Sequence, residues 1–365
     1  MLDIDFPIQF PEDEEYISGI DSEYSAFVCR QAVLAAREAF GNLHELQMDV
    51  KSGLKHDLAF CRRIIMRDGS MEMFPEHNRQ EHPFGPEISH LESAPDDEVG
   101  VVCFKDGMEI VGTMLHFTCH PVNDYCTPSL YNSVTSDWPG IWSENLQKKM
   151  EIKNHPTILN GCCGNINPFN PYVPNYVMDS EKMGASLAEV TEHILLSMSF
   201  SGADTPGIVD YRYMEIPLSY RDIPKERLEK VIDIIENGPI KRKENGEFEE
   251  EWSLAASTYS TLCCQKREPV FMYPVQVFRV GALAIVALPG EPFTDSQLDI
   301  KLRSKAPMTY VTHCANKYIG YLPPEKAFDF DGHETNLNYT YWAKMAPGSI
   351  EKICDAVIEE IESLF

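Results

Sequence analysis

Apolar positions recur with a helical period at Tyr24, Phe27, Val28, Ala32, Val33 and Ala36, with Asp21 in the N-cap position and Gly41 where the chain must leave the helix. These marks predict a helix over 21–41. The stretch 43–66 reads as strand with a turn at Ser52-Gly53, and 99–119 reads as a hairpin turning at Lys105-Asp106-Gly107. Between them, 67–97 is rich in Pro, Glu and His without a period and is expected to be loop; so long a loop in a compact domain usually covers something. Ser136 caps a second predicted helix, with Asp137 in its first turn, Pro139 near its start and Trp138, Ile141, Trp142 and Leu146 as its apolar residues. A short strand at 156–159 runs into the turn-rich Asn160-Gly161-Cys162-Cys163-Gly164-Asn165. Further helices are predicted near 180–198, 225–236, 253–264 and 350–364, and a helix also follows Phe293. Strands are predicted near 208–218 and 309–312, with a hairpin over 275–288 through Gly281; the charged run 241–251 reads as a surface linker. This alternation predicts an α/β fold, a mixed β-sheet flanked by helices.

Length and charge narrow the partners. At 365 residues the chain predicts one large domain or two modest ones, and a single α/β domain over 1–365 is the expectation taken. Lys and Arg number 31 against 57 Asp and Glu, a formal charge of −26, which argues against nucleic acid as a partner. No apolar run reaches the roughly 18 residues of a membrane span, and Met1 to Phe10 carries Asp3 and Asp5 without a basic n-region. The eleven cysteines lack CxxC spacing and read as buried thiols in a reducing compartment, so a cytoplasmic location is expected, subject to what a longer front segment carries.

Candidate chemistry gathers where apolar strands end in polar residues with Gly or Pro: His116 to Asp124, Asn160 to Pro168, Pro289 to Phe293, and Asn316 to Tyr321. These supply imidazole, carboxylate and phenol, which serve as zinc ligands or acid-base groups. On an extended strand His116 and His120 stand about 13 Å apart and cannot share one ion, and no HExxH glutamate is present. His120, at the strand end, is the favoured ligand, whereas His116 by itself reads as a hydrogen-bonded core or cleft histidine. Glu291 follows a buried run, where a carboxylate is costly unless paired or metal-bound. Tyr321 taken alone reads as a core aromatic. Cys162-Cys163 between glycines offers a cysteine nucleophile, but no histidine is placed by sequence to activate it.

Five segments in order resemble the neutral/alkaline non-lysosomal ceramidase family, zinc-centred α/β amidohydrolases. They are His120-Pro121, Ser136-Asp137-Trp138-Pro139-Gly140, Asn160 to Asn165, Pro289-Gly290-Glu291-Pro292-Phe293, and Asn316 to Tyr321 with Gly332-His333-Glu334-Thr335 beyond. The resemblance runs from about Tyr24 to the C-terminus and implies His120, Glu291 and Tyr321 as zinc ligands. The family's other histidine lies in a His-Thr-His-Ser-Gly-Pro stretch ahead of the segment matching 21–41, so the sequence is expected to be N-terminally incomplete relative to the family. It is also expected to lack the family's C-terminal immunoglobulin-like domain. Asn167 stands where the family has the serine of Gly-Asp-x-Ser-Pro, and its amide can donate to an oxyanion. His333 stands at a family tyrosine near the substrate, and His116, Asp137 and Asn160 are candidates for positioning water or substrate.

The implied chemistry is metal-assisted hydrolysis of an amide or ester, with the ion activating water and nearby donors stabilising the oxyanion. Two other readings stand beside it: a truncated or degenerate relative that folds without catalysis and serves as a binding protein, and a cysteine hydrolase acting through Cys162 or Cys163.

Overall fold

The computed structural model describes residues 21–73, 87–127, 129–130, 133–173, 176–200, 207–244, 246–340 and 342–365. The chain opens with helix α1 (Ser22–Gly41), where Asp21 accepts from the Tyr24 N–H at 2.8 Å. No residue of α1 is buried, although its period is the one the sequence predicts. Strand β1 (Gln47–Leu54) runs straight through Ser52-Gly53, where a turn was expected. The stretch 67–97 also departs from the expected loop. After β2 (Phe60–Cys61) and β3 (Arg63–Met66), β4 (Met71–Met73) and β5 (Ile88–Leu91) flank β3 as antiparallel partners, while 74–86 lies outside the described residues. The overlooked signal is Asp68-Gly69, a hairpin dipeptide whose glycine has φ 87°.

Strands β6 (Glu98–Asp106) and β7 (Glu109–Phe117) form the expected hairpin. Pairing with β6 along its whole length, from Gln47 opposite Lys105 to Leu54 opposite Glu98, keeps β1 extended. Helix α2 (Asp137–Met150), β8 (Thr157–Asn160), β9 (Ile166–Asn167) and α3 (Ser180–Leu196) complete the first half. The second half is β10 (Val209–Ser219), α4 (Lys225–Ile232), α5 (Glu250–Arg267), β11 (Val270–Val280), β12 (Leu283–Ala287), β13 (Glu291–Pro292), α6 (Thr294–Arg303), β14 (Met308–Thr312), β15 (Tyr321–Leu322) and α7 (Ser349–Leu364). Two four-stranded sheets result, β1-β6-β7-β8 and β10-β11-β12-β14, each mixing antiparallel pairs with one parallel pair. Among the described residues, no helix is long and apolar enough to cross a membrane.

Each sheet has its own core. On the first, Val99, Val101, Leu115 and Phe117 meet Trp138, Trp142 and Leu146 of α2 and Leu187 of α3. On the second, Tyr273, Val275, Val286 and Val311 meet Ile353, Val357 and Ile361, the helical stripe of α7. Burying each such side chain contributes about 1.5–3 kcal/mol. The seam between the sheets is built around Tyr310, packed with Val102 and Leu283. The ring of His116 stacks on Tyr310 with centroids 4.8 Å apart, and its Nε2 donates to the Val311 carbonyl at 3.0 Å.

Tyr310 reaches across because Gly100 lies beneath it: a Cβ there would sit 2.4 Å from the ring. Gly100→Ala is therefore expected to destabilise the fold by about 1–3 kcal/mol through overpacking. Urea denaturation checks this; an unchanged midpoint would show that the seam tolerates the extra methyl.

Candidate functional site

The parallel pairs β7–β8 and β12–β14 send their carboxyl ends in one direction, and the His313 N–H donates to the Asn160 carbonyl at 3.1 Å, tying β14 to β8 there. His120 lies three residues beyond β7. Both its backbone N–H, at 3.1 Å, and its ring Nδ1, at 2.9 Å, donate to the Ile166 carbonyl, so one acceptor fixes main chain and imidazole together. Glu291 opens β13 and pairs in parallel with Tyr321 of β15. The Gly164 N–H on the Pro292 carbonyl and the Thr294 N–H on Asn165 Oδ1, each at 3.0 Å, join these segments. His120 Nε2 then meets Glu291 Oε2 at 2.9 Å, and the Tyr318 hydroxyl donates to Oε1 at 2.6 Å.

Ile166 O and the Glu291 carboxylate, both acceptors, face the two ring nitrogens of His120. Burial opposes ionisation of Glu291 and raises its pKa, but the hydrogen bond and charge of His120, with help from Tyr318, outweigh it and hold the carboxyl at about 2.

The donor set fits a cation in part. Two ligands of a tetrahedral zinc stand about 3.3 Å apart, within a few tenths of an ångström of the His120–Glu291 contact. A ring N–H held by a backbone carbonyl is the usual support of a metal-bound histidine. Yet among the described residues no group of three or more His, Cys, Asp and Glu is arranged to hold a metal ion.

Sequence reasoning missed the charges around Tyr321. The Arg62 guanidinium lies 5.2 Å from the Tyr321 ring centroid, donates to Glu334 Oε1 at 2.6 Å and reaches the Gly164 carbonyl at 2.8 Å. Arg63 takes the other Glu334 oxygen at 3.0 Å and also pairs with Glu92. Burial raises the Tyr321 phenol well above its ordinary range, with Arg62 opposing and Glu291 reinforcing the shift. The visible signal was two arginines inside the otherwise apolar run Ala59 to Met66. His333 lies against Tyr321 with centroids 5.8 Å apart and against Trp342 at 4.9 Å.

His313 was missed as well. Its Nε2 lies 3.7 Å from Cys163 Sγ, supplying the histidine the cysteine reading lacked. Burial, and then the charge of His120, push His313 down to about 4 against the pull of Glu291, while burial raises the Cys163 thiol well above its ordinary value. The pair is neutral and carries no thiolate.

Other expected residues stand elsewhere or serve the frame. His116 is fully buried in the seam, with Nδ1 unpartnered. Asp137 accepts from Asn123 Nδ2, the Asp124 N–H and the Trp138 N–H, at 2.9, 2.8 and 2.6 Å, so its carboxylate holds the start of α2. Trp138 Nε1 donates to the His120 carbonyl at 3.3 Å, linking that helix to the site. Asn160 Nδ2 donates to the Cys119 carbonyl beside His120 at 3.0 Å. Asn167 lies in β9 with its buried Oδ1 unpartnered.

No protein-family model and no curated protein matches the sequence. Solved structures do match the fold. The crystal structure of neutral ceramidase from Pseudomonas aeruginosa superposes with a TM-score of 0.57 at 15% identity, covering 91% of this chain and 54% of that one. A ceramidase complexed with C2 gives a TM-score of 0.58 at 14% identity, covering 90% of this chain and 55% of the other. The chain thus shares the fold of ceramidases over nearly all its length while spanning about half of theirs, and at these identities the likeness establishes the fold.

Two outcomes follow from the charges. Glu334→Ala, which leaves Arg62 and Arg63 buried without their shared partner, is expected to cost about 3–5 kcal/mol in urea denaturation. Because Glu291 is held at about 2 against an ordinary 4.5, its ionised form adds stability that is fully present above about pH 4.5 and lost as pH falls through 2. The stability gap between the unmutated chain and Glu291→Gln should accordingly shrink from pH 5 to pH 2; a gap constant over that range would refute the pairing.

Proposed function

We propose that the protein is a hydrolase of an amide or ester bond in a small or lipid-like substrate, working with a zinc ion held by His120, Glu291 and Tyr321. The observation that carries this reading is the His120–Glu291 contact at the carboxyl ends of the parallel strands, with His120 Nδ1 on the Ile166 carbonyl. The ceramidase fold of the solved neighbours supports an amide bond as the target.

When bound, such an ion activates water near neutral pH and stabilises charge on a substrate oxygen. The chain's own residues do the positioning. The Ile166 carbonyl fixes the imidazole and leaves Nε2 facing the carboxylate, while Arg62 steadies the Tyr321 phenol. Trp342 and His333 line the far side of that phenol with ring surface, which suits an apolar portion of the substrate. The unpartnered Asn167 oxygen and its amide group are available to a polar group of the substrate.

A second reading is favoured by one specific observation. His120 and Glu291 satisfy each other directly at 2.9 Å, and among the described residues no group of three or more His, Cys, Asp and Glu is arranged to hold a metal ion, which suits a relative that folds without catalysis and acts as a binding protein.

Elemental analysis of protein purified without chelator separates the two. The hydrolase reading expects one zinc per chain, lost in both His120→Ala and Glu291→Ala. Protein without zinc, or variants with undiminished zinc, would leave the non-catalytic reading standing.

A further inference from the structure

We propose that the protein pairs with a second copy of itself, helix α1 of each copy lying across the outer strands of the other copy's second sheet. Two uncovered apolar surfaces point to this. One is α1: all of its residues except Ser25 are exposed, yet apolar side chains occupy most of its circumference, with Glu23, Arg30 and Arg37 recurring seven residues apart along its polar side. A helix apolar on most of its sides is normally buried, and helices in proteins draw most of their stability from such packing. The other surface lies on the second sheet, where cross-strand partners run in rows from the open edge into the seam. Tyr211 of β10 faces Phe278, Phe278 faces Ile285 and Ile285 faces Tyr310, and one row on Val209 leads to Met308 in the same way. The inner ends of these rows pack against Val102 of the first sheet, whereas at the outer edge Val209, Tyr211 and Tyr213 are 76, 61 and 55% exposed. One apolar face therefore starts in the core and runs out uncovered at β10.

The occupant is a second copy because each chain carries both surfaces and does not bring them together itself. The Asn42 N–H closes α1 onto the Glu38 and Ala39 carbonyls at 3.1 and 3.2 Å, and the connection 42–46 leads directly into β1. There the Met48 methyl lies beside Gly281, at the Val209 end of the exposed face. The helix springs from the rim of that face and leaves it bare. The dimensions agree: at about 1.5 Å per residue α1 is about 30 Å long, and at about 3.4 Å per residue β10 is about 37 Å long. With a width of about 10 Å, two helices exchanged in this way bury on the order of 1,200 Å² counting both partners, which reaches the range of stable interfaces. Reciprocal exchange closes as a two-fold dimer and leaves neither surface over for further growth. Ala32, Ala35 and Ala39 line the side of α1 opposite its charged stripe, where a long cationic side chain blocks the contact.

Sedimentation velocity at micromolar concentration, with reductant because Cys29 on α1 is exposed, is expected to show a dimer of the 41.5 kDa chain. Ala32→Lys on the helix and Tyr211→Lys on the sheet, both at exposed positions, are each expected to weaken dimerisation about 100-fold or more, since either leaves two unpaired ammonium groups in every dimer. Mixed together, the two variants are expected to associate more tightly than either does alone, because the mixed dimer keeps one intact contact. A monomeric unmutated protein overturns the proposal, as does a Tyr211→Lys variant that dimerises like the unmutated chain or a mixture that gains nothing. Should either variant not fold, hydrogen exchange in the unmutated protein decides: exchange at the amides of 22–41 is expected to slow as concentration rises, and exchange independent of concentration overturns the pairing.

Discussion

An imidazole and a carboxylate separated by 171 residues meet at 2.9 Å, and much of the surrounding architecture exists to make that meeting tolerable. A charge taken out of water is stable only with a partner and with its remaining hydrogen-bonding capacity filled. Ile166 O fills it for His120 and Tyr318 for Glu291, so neither group depends on solvent. The backbone bonds that join 164–166 to 292–294 and 314–317 to 288–290 then hold those partners in place.

The same logic operates one layer out. Glu334 is fully buried between two arginines, and Arg63 in turn carries Glu92, so the charges form a chain of pairs. Such networks add less net stability than their short distances suggest, because desolvation offsets the attraction. Their value is geometric: Arg62 reaches Tyr321, the Gly164 carbonyl and Glu334 at once, fixing the distance between the glycine turn and the phenol. The two hydrophobic cores beneath, meeting at Tyr310, provide a floor stiff enough for that fixing to matter.

Sequence reasoning reached the strong signals and stopped at the non-local ones. The helical stripe of α7, the β6–β7 hairpin and the strand-end placement of His120 and Glu291 follow from period and turn chemistry, which are local. The straight course of β1 through Ser52-Gly53 was hidden because it depends on a partner strand some fifty residues on. Tyr318 stood in a segment already singled out, but nothing in spacing separates it from Tyr321; only the register of β13 against β15 shows which phenol meets the acid's free oxygen. His313 and Arg62 belong to the same class, residues given meaning by neighbours more than a hundred positions away.

The long reach of the Arg62–Glu334 pair, 272 residues, carries a kinetic meaning. Bringing such distant stretches together requires closing large loops, and that entropy is spent before the contact returns anything. The halves around the two cores can gather from nearer contacts, whereas the polar centre completes itself only after the last third of the polypeptide has docked onto the first. Newly made chains would therefore pass through a stage in which the scaffold is largely assembled and His120 and Glu291 are still apart.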